Sequence, residues 1–133
     1  MPTISISTGA QCQMVDITGR IMAVIPPDFS GACLIVSQHT TAGITVSENS
    51  DPDVGRDMLM QFDEMVPARN PRYLHEEGNS AAHVKTALTG VSVFLPVAQG
   101  RLVLGTWQSV FLCEFDGPRQ RRVYIQLIKE AGA

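Results

Sequence analysis

A chain of 133 residues with a formal net charge of −3 has the size of one domain, which commonly runs to about 100–150 residues, and it can bury an adequate core without disulfides or a structural metal. Hydrophobic content of 44% against 17% charged residues excludes a disordered chain, and the acidic balance argues against a nucleic-acid binder, whose affinity rests on clustered Lys and Arg. There is no apolar run near the roughly 18–20 residues that cross a bilayer and no basic stretch at the start to suggest a signal peptide; the widely spaced Cys12, Cys33 and Cys113 fit reduced thiols, so a cytoplasmic protein without membrane partners is expected.

Residues 3–7 alternate apolar and polar, the period of a half-buried strand, and residues 11–17 do the same. With Gly9 as the turn, the chain is expected to open with a hairpin. Thr18 is a candidate N-cap for a short helix over Gly19–Ile25, which presents Ile21, Met22 and Ile25 on one face and stops at Pro26-Pro27. Short apolar runs at Ala32–Ser37 and Ile44–Ser47 read as strands joined through His39-Thr40-Thr41-Ala42-Gly43. Asp51-Pro52 starts a helix, with an acidic cap and proline in the first turn, and Val54, Met58, Phe62 and Met65 form its apolar stripe up to Pro67. Residues 67–79 have loop composition, and a second main helix is expected over Ser80–Leu88, closed by Gly90. The remainder reads as strands over Val91–Val97, Arg101–Leu104, Thr106–Phe115 and Arg121–Ile128, punctuated by Gly100, Gly105 and Gly117-Pro118. Strand links too short for parallel crossovers make this an α+β fold with a mostly antiparallel sheet, in a single domain over residues 1–133.

Three constellations are candidates for chemistry. His39, His75 and His83 come from separate elements, each with polar neighbours, and three imidazoles plus a water could form a half-open metal site; spacing alone, with no local zinc motif, favours ordinary hydrogen-bonded loop histidines. Arg119, Arg121 and Arg122 follow a Gly-Pro turn and suit a phosphate, which guanidinium binds bidentately; alternate arginines on an edge strand also make a solvated face. Glu48, Asn49, Asp51 and Asp53 offer oxygen ligands for magnesium, although acids at a helix start also serve its positive end. Cys113 is a nucleophile only if a histidine lowers its pKa, and a lone cysteine in an apolar strand otherwise packs. No Gly-x-Ser-x-Gly, Walker loop or dinucleotide fingerprint is present.

The stretch Ser92–Gln108, ending in Gly105-Thr106-Trp107-Gln108, resembles the signature of the YjbQ-like family, often labelled uncharacterised or secondary thiamine-phosphate synthase. The resemblance extends to Gln38-His39-Thr40-Thr41-Ala42, Glu48-Asn49-Ser50-Asp51-Pro52, Tyr73-Leu74-His75, Ala82-His83-Val84-Lys85, Leu112-Cys113-Glu114, Gly117-Pro118-Arg119 and Arg121-Arg122, in order over nearly the whole chain. It implies a β-sandwich-like core with two or three helices, a homotrimer, and a shared pocket lined by His39, His75 and His83 that takes zinc, magnesium or an anion. It further implies functional roles for Cys113 and Glu114 with the histidines, and phosphate contacts from Thr40, Asn49, Asp51, Arg119, Arg121 and Arg122. The segment Glu76–Ala82 departs from the longer, more acidic one usual in the family.

The activity implied is a weak thiamine-phosphate synthase, joining a pyrimidine diphosphate to a thiazole phosphate. Two alternatives accompany it: a metal-dependent hydrolase of a small phosphorylated metabolite, and a non-catalytic trimeric protein that binds a metabolite or metal.

Overall fold

A computed structural model describes residues 2–132. Among these residues, eight strands form two antiparallel sheets. Strands β1 (Thr3–Ser7), β8 (Gln120–Lys129), β3 (Gly31–Ser37), β5 (Ser92–Ala98) and β6 (Arg101–Leu102) lie in that order in the larger sheet. The smaller sheet has the order β2 (Gln13–Asp16), β7 (Gln108–Glu114), β4 (Ala42–Glu48). The sheets pack face to face, as alternation dictates. Ile4, Ile6, Cys33, Ile35, Val123 and Ile125 point inward from the larger sheet to meet Ile44, Val110 and Leu112 of the smaller. The architecture is α+β, as expected.

Three helices among the described residues complete it: α1 (Thr18–Met22), α2 (Pro52–Met65) and α3 (Ser80–Thr89). Helix α1 plugs the core with Ile21. Helices α2 and α3 cover the far side of the smaller sheet, where Leu59, Phe62 and Ala82 meet Met14, Cys113 and Phe115; Phe62 and Phe115 are edge to face at 5.7 Å. This makes β7 a strand buried on both faces, so that Leu112, Cys113 and Glu114 are all fully enclosed despite their alternation. Asp51 caps α2 by accepting from Asp53 N at 2.9 Å, with Pro52 in the first turn. Among the described residues no helix is long and apolar enough to cross a membrane.

Several local expectations are corrected. β1 and β2 do not pair: β1 joins β8 and β2 joins β7. Both segments have a strand period, but Ile4 and Ile6 serve the larger sheet while Met14 faces the helix layer, and a hairpin would have put them in one sheet. Thr18 is not the cap of α1; its Oγ1 accepts from Val110 N at 2.8 Å, and Ile17 holds the cap position. Met65 is exposed because α2 ends there, and Val66 turns inward in its place. The arginine-bearing strand is not an edge: β8 lies between β1 and β3. At the β5–β6 turn, Gln99 (φ 47°) and Gly100 (φ 79°) both take positive φ, the pattern of a two-residue type I′ hairpin.

Candidate functional site

At one end of the sandwich the core becomes polar. Glu114, the last residue of β7, lies on the same face as Leu112 and Val110, and Arg121 lies on the inward face of β8 with Val123. The two sheets therefore press a carboxylate against a guanidinium. Glu114 Oε1 accepts from Arg121 Nε at 2.8 Å and from Thr8 Oγ1 at 2.7 Å. Its Oε2 accepts from Asp116 N at 3.0 Å and, very closely, from Arg121 Nη2. Nη2 also donates to Thr41 Oγ1 at 2.9 Å. Burial alone would push the Glu114 carboxyl up, but the hydrogen bonds from Arg121, Thr8 and the Asp116 N–H outweigh it and hold the pKa below 4.5. Gly117 is required beside this pair, because a Cβ there would meet the carbonyl of Ala10 and come within 2.9 Å of the Glu114 carboxyl carbon.

Above the pair opens a polar cleft of about 430 Å³ lined by His39, His75 and His83 together with Thr40, Arg119 and Arg121. The β3–β4 link carries His39, the 67–79 loop carries His75, and the first turn of α3 carries His83. The rings of His75 and His83 stand edge to face, 5.7 Å between centroids. His39 Nε2 accepts from the backbone N–H of Arg122 at 2.8 Å. That bond assigns the proton of the neutral ring to Nδ1. Burial first, then the charge of Arg121, lowers the His39 pKa below 6.5, which keeps the ring neutral. Arg119 folds over the Gly117-Pro118 turn and binds Asp116 through Nε to the backbone O (2.7 Å) and Nη2 to Oδ2 (2.9 Å). Asp116 also accepts from Asn79 Nδ2 at 2.9 Å.

The donor set does not fit a three-histidine metal centre as arranged. His39 Nε2 is occupied by a backbone donor and its Nδ1 is protonated, and among the described residues no three His, Cys, Asp or Glu side chains form a cluster able to hold a metal ion. His75 and His83 are the two imidazoles left free to ligate.

Other expected site residues have different places. Cys113 faces the helix layer, fully buried, and burial pushes its thiol up to about 12, so it packs as a neutral thiol away from the histidine cleft. Glu114 is enclosed and serves as the counter-ion of Arg121, with no face toward a ligand. Arg122 alternates to the outer face of the larger sheet, outside the cleft lining, and reaches His39 through its backbone N–H. Asn49 and Asp51, with Glu48, line a separate cleft beside α2. There Asn49 is tied to Ser109 Oγ and Gln108 O at 3.2 Å each, and Asp51 is the helix cap. Thr8, Thr41, Asn79 and Asp116 belong to the site and were not singled out by sequence reasoning. Asp116 carries a local signal, its i,i+3 spacing to Arg119 across a turn, and Thr41 lies in the Gln38–Ala42 motif.

Comparison with known proteins agrees with this architecture. Residues 2–130 match the family model described as UPF0047 protein YjbQ-like. The UPF0047 protein YugU of Bacillus subtilis is 48% identical over 130 residues, 96% of this chain and 98% of that protein. A UPF0047 protein of Methanocaldococcus jannaschii is 42% identical over 92% of this chain and 90% of its own length. Among solved structures, a conserved hypothetical protein from Thermus thermophilus superposes with a TM-score of 0.92 at 41% identity, covering 96% of this chain and all of that one. An uncharacterised YjbQ/UPF0047 protein from Clostridium acetobutylicum gives 0.90 at the same identity and coverage. With the family model matched along nearly the full chain and relatives this similar, the chain belongs to the YjbQ-like UPF0047 family.

Proposed function

We propose that the histidine cleft binds a small phosphorylated metabolite and that the protein is a transferase with thiamine-phosphate synthase-like activity. The supporting observation is the convergence of His39, His75, His83, Arg119 and Arg121 from separate segments into one polar cleft. In such a transfer the pyrimidine-bearing carbon loses its bond to the diphosphate oxygen, pyrophosphate leaves with the electron pair, and the thiazole takes its place. The protein must therefore hold an anionic leaving group and position the second phosphate. Arg121 Nη1 has no partner in the network around Glu114, and Arg121 lines the cleft, so one N–H-bearing edge of a rigidly held cation serves the ligand. The Nδ1–H of His39 adds a donor, Arg119 adds a second, half-exposed cation, and His75 or His83 hands a proton to the departing pyrophosphate oxygen as a general acid.

The test is purified protein with both substrates and magnesium, with the product resolved by chromatography. Product above that of a His83→Ala variant is expected; its absence overturns the transferase. Saturable metabolite binding in a thermal-shift screen without turnover would then favour the non-catalytic binding protein.

We propose further that the protein is a homotrimer in the cytoplasm. The cysteines are free thiols. Among the described residues no helix covers the outer face of the larger sheet, where Leu34 pairs with the exposed Phe94 and Ala32 with the exposed Ile128; an uncovered apolar face of this kind suits association. Light scattering should give three times the 14.4 kDa chain mass, and Phe94→Glu should lower it; a monomer at all concentrations would refute the trimer.

A further inference from the structure

On the other side of the wall formed by Asn79 and Asp116 lies a third cleft, of about 510 Å³, between α2 and α3. Its floor holds Lys85, whose side chain is 4% exposed. Side chains on a helix lean toward its N-terminus, so the Lys85 stem runs back over Ala81 and Ala82, which line the same cleft. Its ammonium has three donors and one protein acceptor, Asp63 Oδ1 at 3.2 Å, and Asp63 is itself 66% exposed. A buried ammonium with a single, solvent-weakened partner is incompletely compensated.

The remaining charges do not correct this. Asp116 is already held by Arg119 and Asn79. Arg56, on the rim, adds a second cation and is only loosely engaged by Asp53, at 3.6 Å. Beside these cations the wall is apolar, from Leu59, Met60 and Phe115. The volume suits a small organic ligand.

We propose that this cleft is a binding site for a small organic anion with an apolar body, its charged group on Lys85 and Arg56 and its body against Leu59, Met60 and Phe115. The simpler role of Lys85, a staple between α2 and α3 through Asp63, uses one of its donors and leaves the cleft without purpose. The site is separate from the histidine cleft and does not depend on what that cleft binds.

Phenyl phosphate, an anion on one apolar ring, is the probe, titrated into the intact protein and followed by calorimetry. Saturable binding is expected in the millimolar range or tighter, weakened about tenfold or more by Lys85→Met, as loss of a charged hydrogen-bond donor predicts. It should stay within about twofold in His39→Ala, whose substitution lies in the other cleft. The proposal is overturned by absence of saturable binding, by binding indifferent to Lys85→Met, or by binding lost in His39→Ala and retained in Lys85→Met, which would assign the probe to the histidine cleft. Should Lys85→Met not fold, Met60→Trp, which obstructs the cleft from its exposed rim, is read in the same way.

Discussion

The floor and the rim of the histidine cleft are built on opposite principles. The floor is a closed network: Glu114 and Arg121 are almost without exposure, and Thr8, Thr41 and the Asp116 N–H complete their hydrogen bonding. The rim is His75 in an irregular loop, with its Nε2 no nearer than 4.0 Å to the exposed Glu77, and Arg119 bound to Asp116 with about half of its side chain in solvent. A buried ion pair holds its geometry because neither partner can leave without stranding the other, whereas exposed charges are screened and can change partners. The cleft thus combines one fixed cation with groups free to adapt to a ligand.

The largest expected effect comes from the floor. Arg121→Met leaves Glu114 buried without its counter-ion and should cost about 3–5 kcal/mol in denaturant unfolding, while the double change Arg121→Met with Glu114→Leu should recover much of it. Equal destabilisation by the single and double variants would show that the pair is not the source of the cost. The comparison also separates in pH. Glu114 has a folded pKa below 4.5, so its stabilisation is complete above 4.5 and disappears as the pH falls through the folded value. His39 has a folded pKa below 6.5: the unfolded ring takes up a proton first, so its contribution is present above 6.5 and declines as the pH falls below that, when protonated Nε2 can no longer accept from Arg122. Denaturation midpoints across this range should show a shallow loss beginning near 6.5, absent in His39→Gln, before the steep loss below 4.5. A profile identical in His39→Gln would remove the His39 part.

The rim should behave in reverse. His75→Ala is expected to change stability by less than about 0.5 kcal/mol, as for a surface substitution, yet to reduce ligand affinity or product formation; a stability change as large as that of Arg121→Met would erase the distinction. The smallest effect concerns thiols. In the folded protein iodoacetamide should modify the half-buried Cys12 well before the enclosed Cys113, and rapid modification of Cys113 by mass spectrometry would contradict its packing.

Much of the secondary structure was readable from local pattern. Asp51-Pro52 announced α2, Gly90 closed α3, and the runs at Ala32 and Val91 became β3 and β5 with ends shifted by a residue or so. Family resemblance, carried by short motifs, was enough to group the three histidines in one pocket. It was less informative about roles, because a motif residue can matter by being buried. Cys113, Glu114 and Asn49 all sit in recognisable motifs, yet one packs against helices, one neutralises Arg121 and one ties β4 to β7.

What the sequence alone determined is therefore what depends on near neighbours: where strands and helices run, which faces are apolar, where caps and turns fall. Only the tertiary structure decided which strands pair, and with that the rest. Placing β1 beside β8, with no hairpin to β2, turns Arg121 inward from the middle of a sheet onto Glu114. Stacking the helices on the smaller sheet buries Cys113, leaves Lys85 under a cleft and moves Asn49 and Asp51 away from the histidines. The physical reason is that periodicity records whether a side chain is buried, but not against what. The partner is chosen by contacts between residues far apart in the chain, as Thr8 and Glu114 are, and only the closed fold brings them together.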